Sequence, residues 1–278
     1  MIRSYKDIYR AIENIDPVSI AIINPKIEYL NSAIKEAELR GWIKPNIFMD
    51  EDKNVSAKKA VLSVTNGESD LLMKGGDVDT ATILKAVLTT KNFVQPNKWL
   101  SHVAVVETLN YNRLLMLTDG GVNPKFTPDI IDGMIENVLC MANVLDNSHP
   151  NIAMLTLVEK VTEKVPETVF AHETVQRYRK NSDLSIEGPI SIDVAISKTA
   201  AKSKNITSVI SGETDVFMGP NITTTNFVVK ALMALGGAKG GGLILGANAP
   251  IVLLSRSDNM ETKLNSIALG ILALKGEK

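Results

Sequence analysis

Along the chain, short apolar runs rich in β-branched residues alternate with longer stretches in which apolar residues recur at helical spacing. The first pattern predicts buried strands and the second predicts helices with one face turned to a core. Residues 18–23 (VSIAII) followed by the helical pattern at 28–40 set the rhythm. Further strands are predicted at 47–49, 71–73, 102–107, 113–117, 152–157, 215–218, 242–245 and 251–254. Helices are predicted at 56–66, 79–89, 128–145, 166–181, 193–202, 224–235 and 260–275, and the first twenty residues carry an amphipathic helix pattern. Strand, helix, strand order implies α/β architecture with largely parallel sheets covered by helices. The strands outnumber the needs of one small sheet. No Pro/Ser linker or fixed-period repeat separates two halves, so a second domain would be joined through the core rather than on a tether.

Composition narrows the partner more than the chemistry. Thirty basic residues nearly balance thirty-one acidic ones without a long run of either sign, which leaves no electrostatic footprint for nucleic acid or a membrane surface. No stretch reaches the roughly eighteen apolar residues of a membrane span, and the amino-terminal pattern lacks a signal-peptide core. A soluble, cytoplasmic protein with a small-molecule partner is expected. The one cysteine, Cys140, falls in the predicted helix at 128–145 and is expected in the core; it has no thiol to pair with. The three histidines, His102, His149 and His172, show no metal-ligand spacing, and no Gly-x-Ser-x-Gly elbow occurs. The expected chemistry therefore rests on positioning and electrostatics.

Two segments could meet an anion. Lys74, Gly75 and Gly76 follow a predicted strand, and Thr80 opens the next helix, so a cation, flexible backbone and helix amides meet at a strand's carboxyl end. Walker-loop spacing is absent. Ser255, Arg256, Ser257 and Asp258 likewise lie between an apolar run and a helix, where a guanidinium and a hydroxyl suit a phosphate; a plain helix cap is the competing reading. Gly236, Gly237 and Gly240 to Gly242 follow a helix and enter a strand, the reverse of a dinucleotide fingerprint, and read mainly as a helix stop and tight turn.

Several motifs in order resemble the phosphate acetyl/butyryltransferase family. They are Leu71-Leu72-Met73-Lys74-Gly75, Leu84-Lys85-Ala86-Val87-Leu88, Leu100-Ser101-His102-Val103-Ala104-Val105 and Thr118-Asp119-Gly120-Gly121-Val122-Asn123. Further on come Glu187-Gly188-Pro189, Asp193, Gly212 with Asp215, Pro220, Asn226 and Lys230, then Ala249-Pro250-Ile251-Val252 and Ser255-Arg256. The run Glu261-Thr262-Lys263-Leu264-Asn265-Ser266-Ile267-Ala268-Leu269 looks like the phosphate butyryltransferase branch.

The resemblance implies two α/β domains, similar to the isocitrate and isopropylmalate dehydrogenases, with an interdomain cleft and a homodimer. The first domain would be residues 1–105 plus 246–278 and the second 106–245. It implies reversible transfer of a short-chain acyl group, butyryl or branched, between coenzyme A and inorganic phosphate, with coenzyme A as a substrate and no other cofactor or metal. Phosphate acetyltransferase activity, or a non-catalytic acyl-CoA or phosphate-binding role, is the alternative. By resemblance Arg256 binds phosphate, Ser255 hydrogen-bonds the thiol or the oxyanion, and Lys74, Thr80, Lys85, Asp119, Asn123, Asn226 and Asn248 contact substrate. Position 262, where acetyltransferases carry the proposed base, is Thr262, so Glu261 is the nearest carboxylate for that task. The family's cysteine is Gly120 here, and its Glu-Ala-Gly-Asn pattern reads Thr223-Thr224-Thr225-Asn226.

Overall fold

The structure is a computed structural model that describes residues 1–25, 28–253, 255 and 257–276. Helix α1 (Tyr5–Ile12) leads to β1 (Val18–Ile23), α2 (Glu28–Leu39), β2 (Ile43–Phe48), α3 (Lys53–Thr65), β3 (Leu71–Lys74) and α4 (Thr80–Thr89). Strands β4 (Ser101–Glu107) and β5 (Leu114–Thr118) pair antiparallel and precede α5 (Pro128–Val144), β6 (Asn151–Leu155), α6 (Pro166–Tyr178) and β7 (Ser185–Ile190). Then come α7 (Ile192–Ile196), α8 (Lys198–Ser203), β8 (Val216–Met218), α9 (Ile222–Ala234), β9 (Lys239–Leu245), β10 (Ile251–Val252) and α10 (Met260–Gly276).

The chain divides into two compact units: Tyr5–Leu100 with Lys239–Lys278, here the split unit, and Met1–Ser4 with Ser101–Ala238, the middle unit. The divisions fall immediately before β4 and before β9. Each strand stays with its antiparallel mate, β4 with β5 and β9 with β10.

In the split unit the strands run in the order β2-β1-β3-β10-β9, all parallel except β9. Ile20 to Ile23 and Leu71 to Met73 are wholly buried, which explains their unbroken apolar runs: helices cover both faces, so neither face needs polar residues. Pro45 is tolerated because β2 is an edge strand. Helix α10 is buried almost all round, through Leu264, Ile267, Ala268, Leu269, Ile271 and Leu272. It lies hard against β9. A Cβ on Gly241 would sit 2.9 Å from the Ser266 backbone nitrogen. The Gly242 N–H donates to Ser266 Oγ at 3.0 Å, and Asn265 Nδ2 donates to the Gly240 carbonyl at 3.0 Å. Of the glycine cluster, Gly236 and Gly237 form the expected helix stop, Gly236 with its N–H on the Ala231 carbonyl at 3.0 Å and Gly237 at φ 63°, whereas Gly240 to Gly242 lie inside β9 and admit α10.

The middle unit's strands run β4-β5-β8-β6-β7, parallel after the first pair. Alternate residues Ala104, Val106, Leu115, Leu117, Ala153, Leu155 and Phe217 form one core face with Val194, Ala195 and Ala201, and partly buried Val228, Val229 and Leu232 pack on it. Helix α5 packs against β4 and β5.

Three features depart from the sequence pattern. Strand β7 was not expected, because SIEGPI shows no strong alternation and contains Gly188-Pro189; it survives as an edge strand, where proline loses no ladder bond, and a Cβ on Gly188 would sit 2.5 Å from that of Met154. The helix expected at 193–202 is two helices, broken at Ser197, whose backbone is extended and whose Oγ caps α8 through the Ala200 N–H at 3.2 Å. Cys140 is exposed rather than in the core, since α5 turns Ile131, Met134, Ile135, Val138, Met141 and Ala142 inward and position 140 falls off that stripe.

Candidate functional site

In the split unit β1, β3 and β10 are parallel, and β10 pairs Val252 with Met73, so the chain leaves β3 and β10 at the same end. Open α/β sheets bind ligands at this carboxyl edge. Lys74 ends β3 and is only 4% exposed. Gly75 must be glycine, because a Cβ there would fall 1.7 Å from the Ile23 carbonyl oxygen. Beyond β10 the Ser255 N–H donates to Asp258 Oδ2 at 2.6 Å, while Ser255 Oγ lies 3.0 Å from Ser257 Oγ on an exposed turn. Beneath that turn, Lys263 of α10 donates its Nζ to the Asp258 carbonyl at 2.7 Å. Burial holds the Lys263 ammonium below the usual lysine range, with the Asp258 charge opposing. In the sequence Lys263 stood only as part of the run 261–269, and its polar neighbours Thr262, Asn265 and Ser266 gave no sign that this end of α10 is buried. Arg256 lies outside the described residues.

The other candidates of this unit have different surroundings. Thr80 is the first residue of α4, whose amino terminus is already capped: Asp79 Oδ1 accepts the Thr82 N–H at 2.7 Å. A carboxylate thus occupies one of the amides expected to meet an oxyanion. Lys85 is exposed on α4 and adds its attraction to Asp52, whose carboxyl is held below its ordinary range first by hydrogen bonds from Asn54. Glu261, in the first turn of α10, is exposed and pairs with Lys239 at 3.0 Å. Asn248 precedes β10 and so lies at the opposite end from Ser255. Its amide donates to the Asn92 carbonyl at 2.5 Å and accepts from Gln95 at 3.2 Å, which ties two loops together.

In the middle unit the candidates cluster after β5. Asp119 is fully buried, and its carboxylate is saturated by its own loop. Oδ1 accepts the N–H groups of Gly121 at 2.7 Å and Val122 at 3.0 Å; Oδ2 accepts the Asn123 N–H at 2.9 Å and Nδ2 at 2.6 Å. Asn226 on α9 donates to the Gly120 carbonyl at 2.7 Å and pins the same loop. Asp119, Asn123 and Asn226 therefore come together, with Asp119 building the loop. Asp215, at the amino end of β8, is structural as well: it accepts from Arg113 at 2.9 Å and from the Asn151 N–H at 2.9 Å. Burial beside this pair pushes the Tyr111 phenol up to about 12, and its hydroxyl donates to the Thr214 carbonyl.

A cavity of about 330 Å³ opens at the carboxyl ends of β5, β6 and β8. Leu117, Leu155, Phe217 and Val228 of α9 line it, and among the described residues Glu167 is the one charged group in its wall. None of these residues stood out in the sequence, because the pattern that makes them core strand residues is the same. Near the carboxyl end of β7, Ser191 donates to Glu159 and to Asp193 at 2.6 Å, and Lys204 reaches Glu159 at 2.9 Å and Asp193 at 2.9 Å. Among the described residues no group of three or more His, Cys, Asp or Glu is disposed to hold a metal ion, and no helix is long and apolar enough to cross a membrane.

Comparison with known proteins matches residues 10–271 to the family model described as phosphate acetyl/butaryl transferase. A phosphate butyryltransferase of Clostridium acetobutylicum is 33% identical, over 98% of this chain and 98% of its own length. A phosphate acetyltransferase of Thermotoga maritima is 33% identical over 82% of this chain and 78% of its own. Among solved structures, a branched-chain phosphotransacylase from Enterococcus faecalis V583 superposes with a TM-score of 0.83 at 28% identity, covering 92% of this chain and 99% of that one.

Proposed function

We propose that this chain, an acyltransferase that belongs to the phosphate acetyl/butaryl transferase family, carries a butyryl or branched short-chain acyl group between coenzyme A and inorganic phosphate. The observation that carries the reading is that Lys74 and the Ser255 turn follow the carboxyl ends of the neighbouring parallel strands β3 and β10, within a chain matched to the family over nearly its whole length. A cation and a hydroxyl at such an edge suit an anion that must be held and then attacked or released.

In one direction a phosphate oxygen adds to the thioester carbonyl, the C–S bond breaks, and the thiolate leaves and takes a proton; in the other, the thiol loses its proton and attacks the carbonyl of the acyl phosphate, the C–O bond to phosphate breaks, and inorganic phosphate leaves. In this reading Lys74 and Arg256 neutralise phosphate, Ser255 hydrogen-bonds the thiol or the oxyanion, and Glu261 moves the proton. Lys263 supports the turn from below through the Asp258 carbonyl. Thr80, Lys85, Asn123 and Asn226 remain substrate contacts by family resemblance, whereas Asn248, tied to Asn92 and Gln95, and Asp119, saturated by its own loop, act by shaping loops. No resident cofactor or metal enters the reaction.

We further propose a cytoplasmic homodimer. Support comes from α9, which buries only Thr225 although it is rich in apolar residues, and Phe227 is 67% exposed. The test of the function is thiol release from acetyl-, butyryl- and isobutyryl-CoA on addition of phosphate, with and without a chelator. Release dependent on phosphate, indifferent to the chelator and fastest with the four-carbon groups is expected. No release with any of them would overturn the acyltransferase reading; fastest release with acetyl would replace the acyl assignment.

A further inference from the structure

We propose that Lys263 is the counter-charge of the phosphate turn: its ammonium offsets the Asp258 carboxylate, so that a segment carrying an acidic side chain can hold a phosphate dianion beside Ser255. The proposal rests on the acyltransferase reading above and deepens it by adding a positioning pair to the phosphate end of the same site.

A lysine at this place works against two local preferences. Lys263 closes the first turn of α10, where the helix dipole favours negative side chains, and it is only 3% exposed, a burial that lysine tolerates when it is paired. Neither capping nor core packing calls for it. Asn259 already caps the helix by accepting the Thr262 N–H at 2.8 Å, and Leu264, Ile267 and Ala268 already seal it. Residues that break local rules in this way tend to mark functional ground.

What Lys263 faces is the turn. Its Nζ donates to the Asp258 carbonyl at 2.7 Å, and the Asp258 charge lies close enough to favour the ammonium against the burial that disfavours it. Asp258 in turn accepts the Ser255 N–H on Oδ2 at 2.6 Å. The carboxylate therefore takes an amide proton that a phosphate oxygen could otherwise use, and the Ser255 hydroxyl, 3.0 Å from that of Ser257 on the exposed side, is left for the substrate. Like charges this close repel strongly when water is partly excluded, so an uncompensated Asp258 would work against phosphate at the very turn meant to hold it. A buried ammonium neutralises the carboxylate from the protein side and leaves the solvent side of the turn to the anion.

The test is steady-state thiol release with phosphate and acyl-CoA varied in turn, and, beside it, the rise of Tm on addition of inorganic phosphate without acyl-CoA. Lys263→Gln keeps a donor for the Asp258 carbonyl and loses the charge; Lys263→Gln combined with Asp258→Asn removes both charges and still leaves the Ser255 N–H an acceptor. Lys263→Met, an apolar side chain of similar length, replaces Lys263→Gln in the comparison if the latter does not fold. The single variant is expected to raise KM for phosphate about tenfold or more and KM for acyl-CoA less than about twofold, and the paired variant to recover most of that loss. An unchanged phosphate KM in the single variant, an equal rise for both substrates, or a paired variant no better than the single one would overturn the counter-charge assignment and leave the acyltransferase reading standing. If the wild type releases no thiol from any acyl-CoA, the acyltransferase reading falls and the Tm series decides the inference: a phosphate-dependent rise that is lost in the single variant upholds it, and an equal rise in both proteins, or none in either, overturns it.

Discussion

Asp119→Asn removes a negative charge while keeping the shape of the side chain, and its cost can be worked from four hydrogen bonds. The carboxylate accepts from the backbone N–H groups of Gly121, Val122 and Asn123 and from Asn123 Nδ2, at distances between 2.6 and 3.0 Å. An amide presents only one oxygen. Whichever way it turns, its NH2 group faces two donors that then have no acceptor, and the site is fully buried, so water does not replace the lost partner. Leaving a buried donor unsatisfied costs about 1–3 kcal/mol, so two give roughly 2–6 kcal/mol, and relaxation of the glycine-rich loop brings the expectation to about 3 kcal/mol. That is a large share of the ~5–15 kcal/mol that holds a typical domain together. Denaturant unfolding of the variant should show a lower midpoint with an unchanged slope. Hydrogen exchange should quicken at Gly121, Val122 and Asn123 before anywhere else, because those amides lose their acceptor directly. A midpoint within about 0.5 kcal/mol of wild type, with exchange at those amides unchanged, would refute the view of Asp119 as the builder of this loop.

Three further outcomes are expected. Glu261→Gln should lower turnover about a hundredfold, the scale of general acid–base catalysis, in steady-state kinetics; an unchanged rate would remove Glu261 from the proton path. The Ser191 and Lys204 hydrogen bonds outweigh burial in holding Glu159 below its ordinary 4.5, similar bonds lower Asp193 below 3.8, and Glu159 foremost raises Lys204 above 10.5. The carboxylates' contribution is therefore present above pH 4.5 and lost as pH falls through their folded values, while that of Lys204 is lost as pH rises past 10.5; Lys204→Met should flatten the acid limb of a Tm-versus-pH profile, and an unaltered limb would deny the cluster a role. Phe227→Glu puts a charge on the exposed apolar side of α9 and should halve the mass measured by light scattering, whereas an unchanged mass would move the proposed dimer contact elsewhere.

Much of the fold could be read directly because burial and periodicity coincide. Runs such as 18–23 and 71–73 are strands covered on both faces, so they appear as unbroken apolar blocks between helical stretches. The pattern failed where tertiary contact, not local preference, decides. Strand β7 holds a Gly-Pro pair that only an edge position accepts, and Gly240 to Gly242 look like a turn until α10 is seen to need their missing side chains. Cys140 misled for a subtler reason: α5 is apolar over more than its core-facing stripe, so being in the helix did not mean facing inward.

The site was legible to the degree that its residues are polar. A lysine after a strand and a serine turn before a helix stand out because such groups need a reason to sit at a sheet edge, and both lie at the carboxyl ends of paired strands. Polarity alone does not separate the group that binds from the group that builds. Asp119 and Asn248 read as ligand contacts, yet each spends its hydrogen-bonding capacity on its own surroundings, Asp119 on four donors of one loop and Asn248 on Asn92 and Gln95. The reverse holds for an apolar ligand. Leu117, Leu155 and Phe217 alternate along their strands like any core residues, and what distinguishes them is space left unfilled above them, a property of packing that no single residue type encodes. A polar sheet edge is therefore legible in a sequence, whereas the room an apolar guest needs becomes visible only once the strands and α9 are packed.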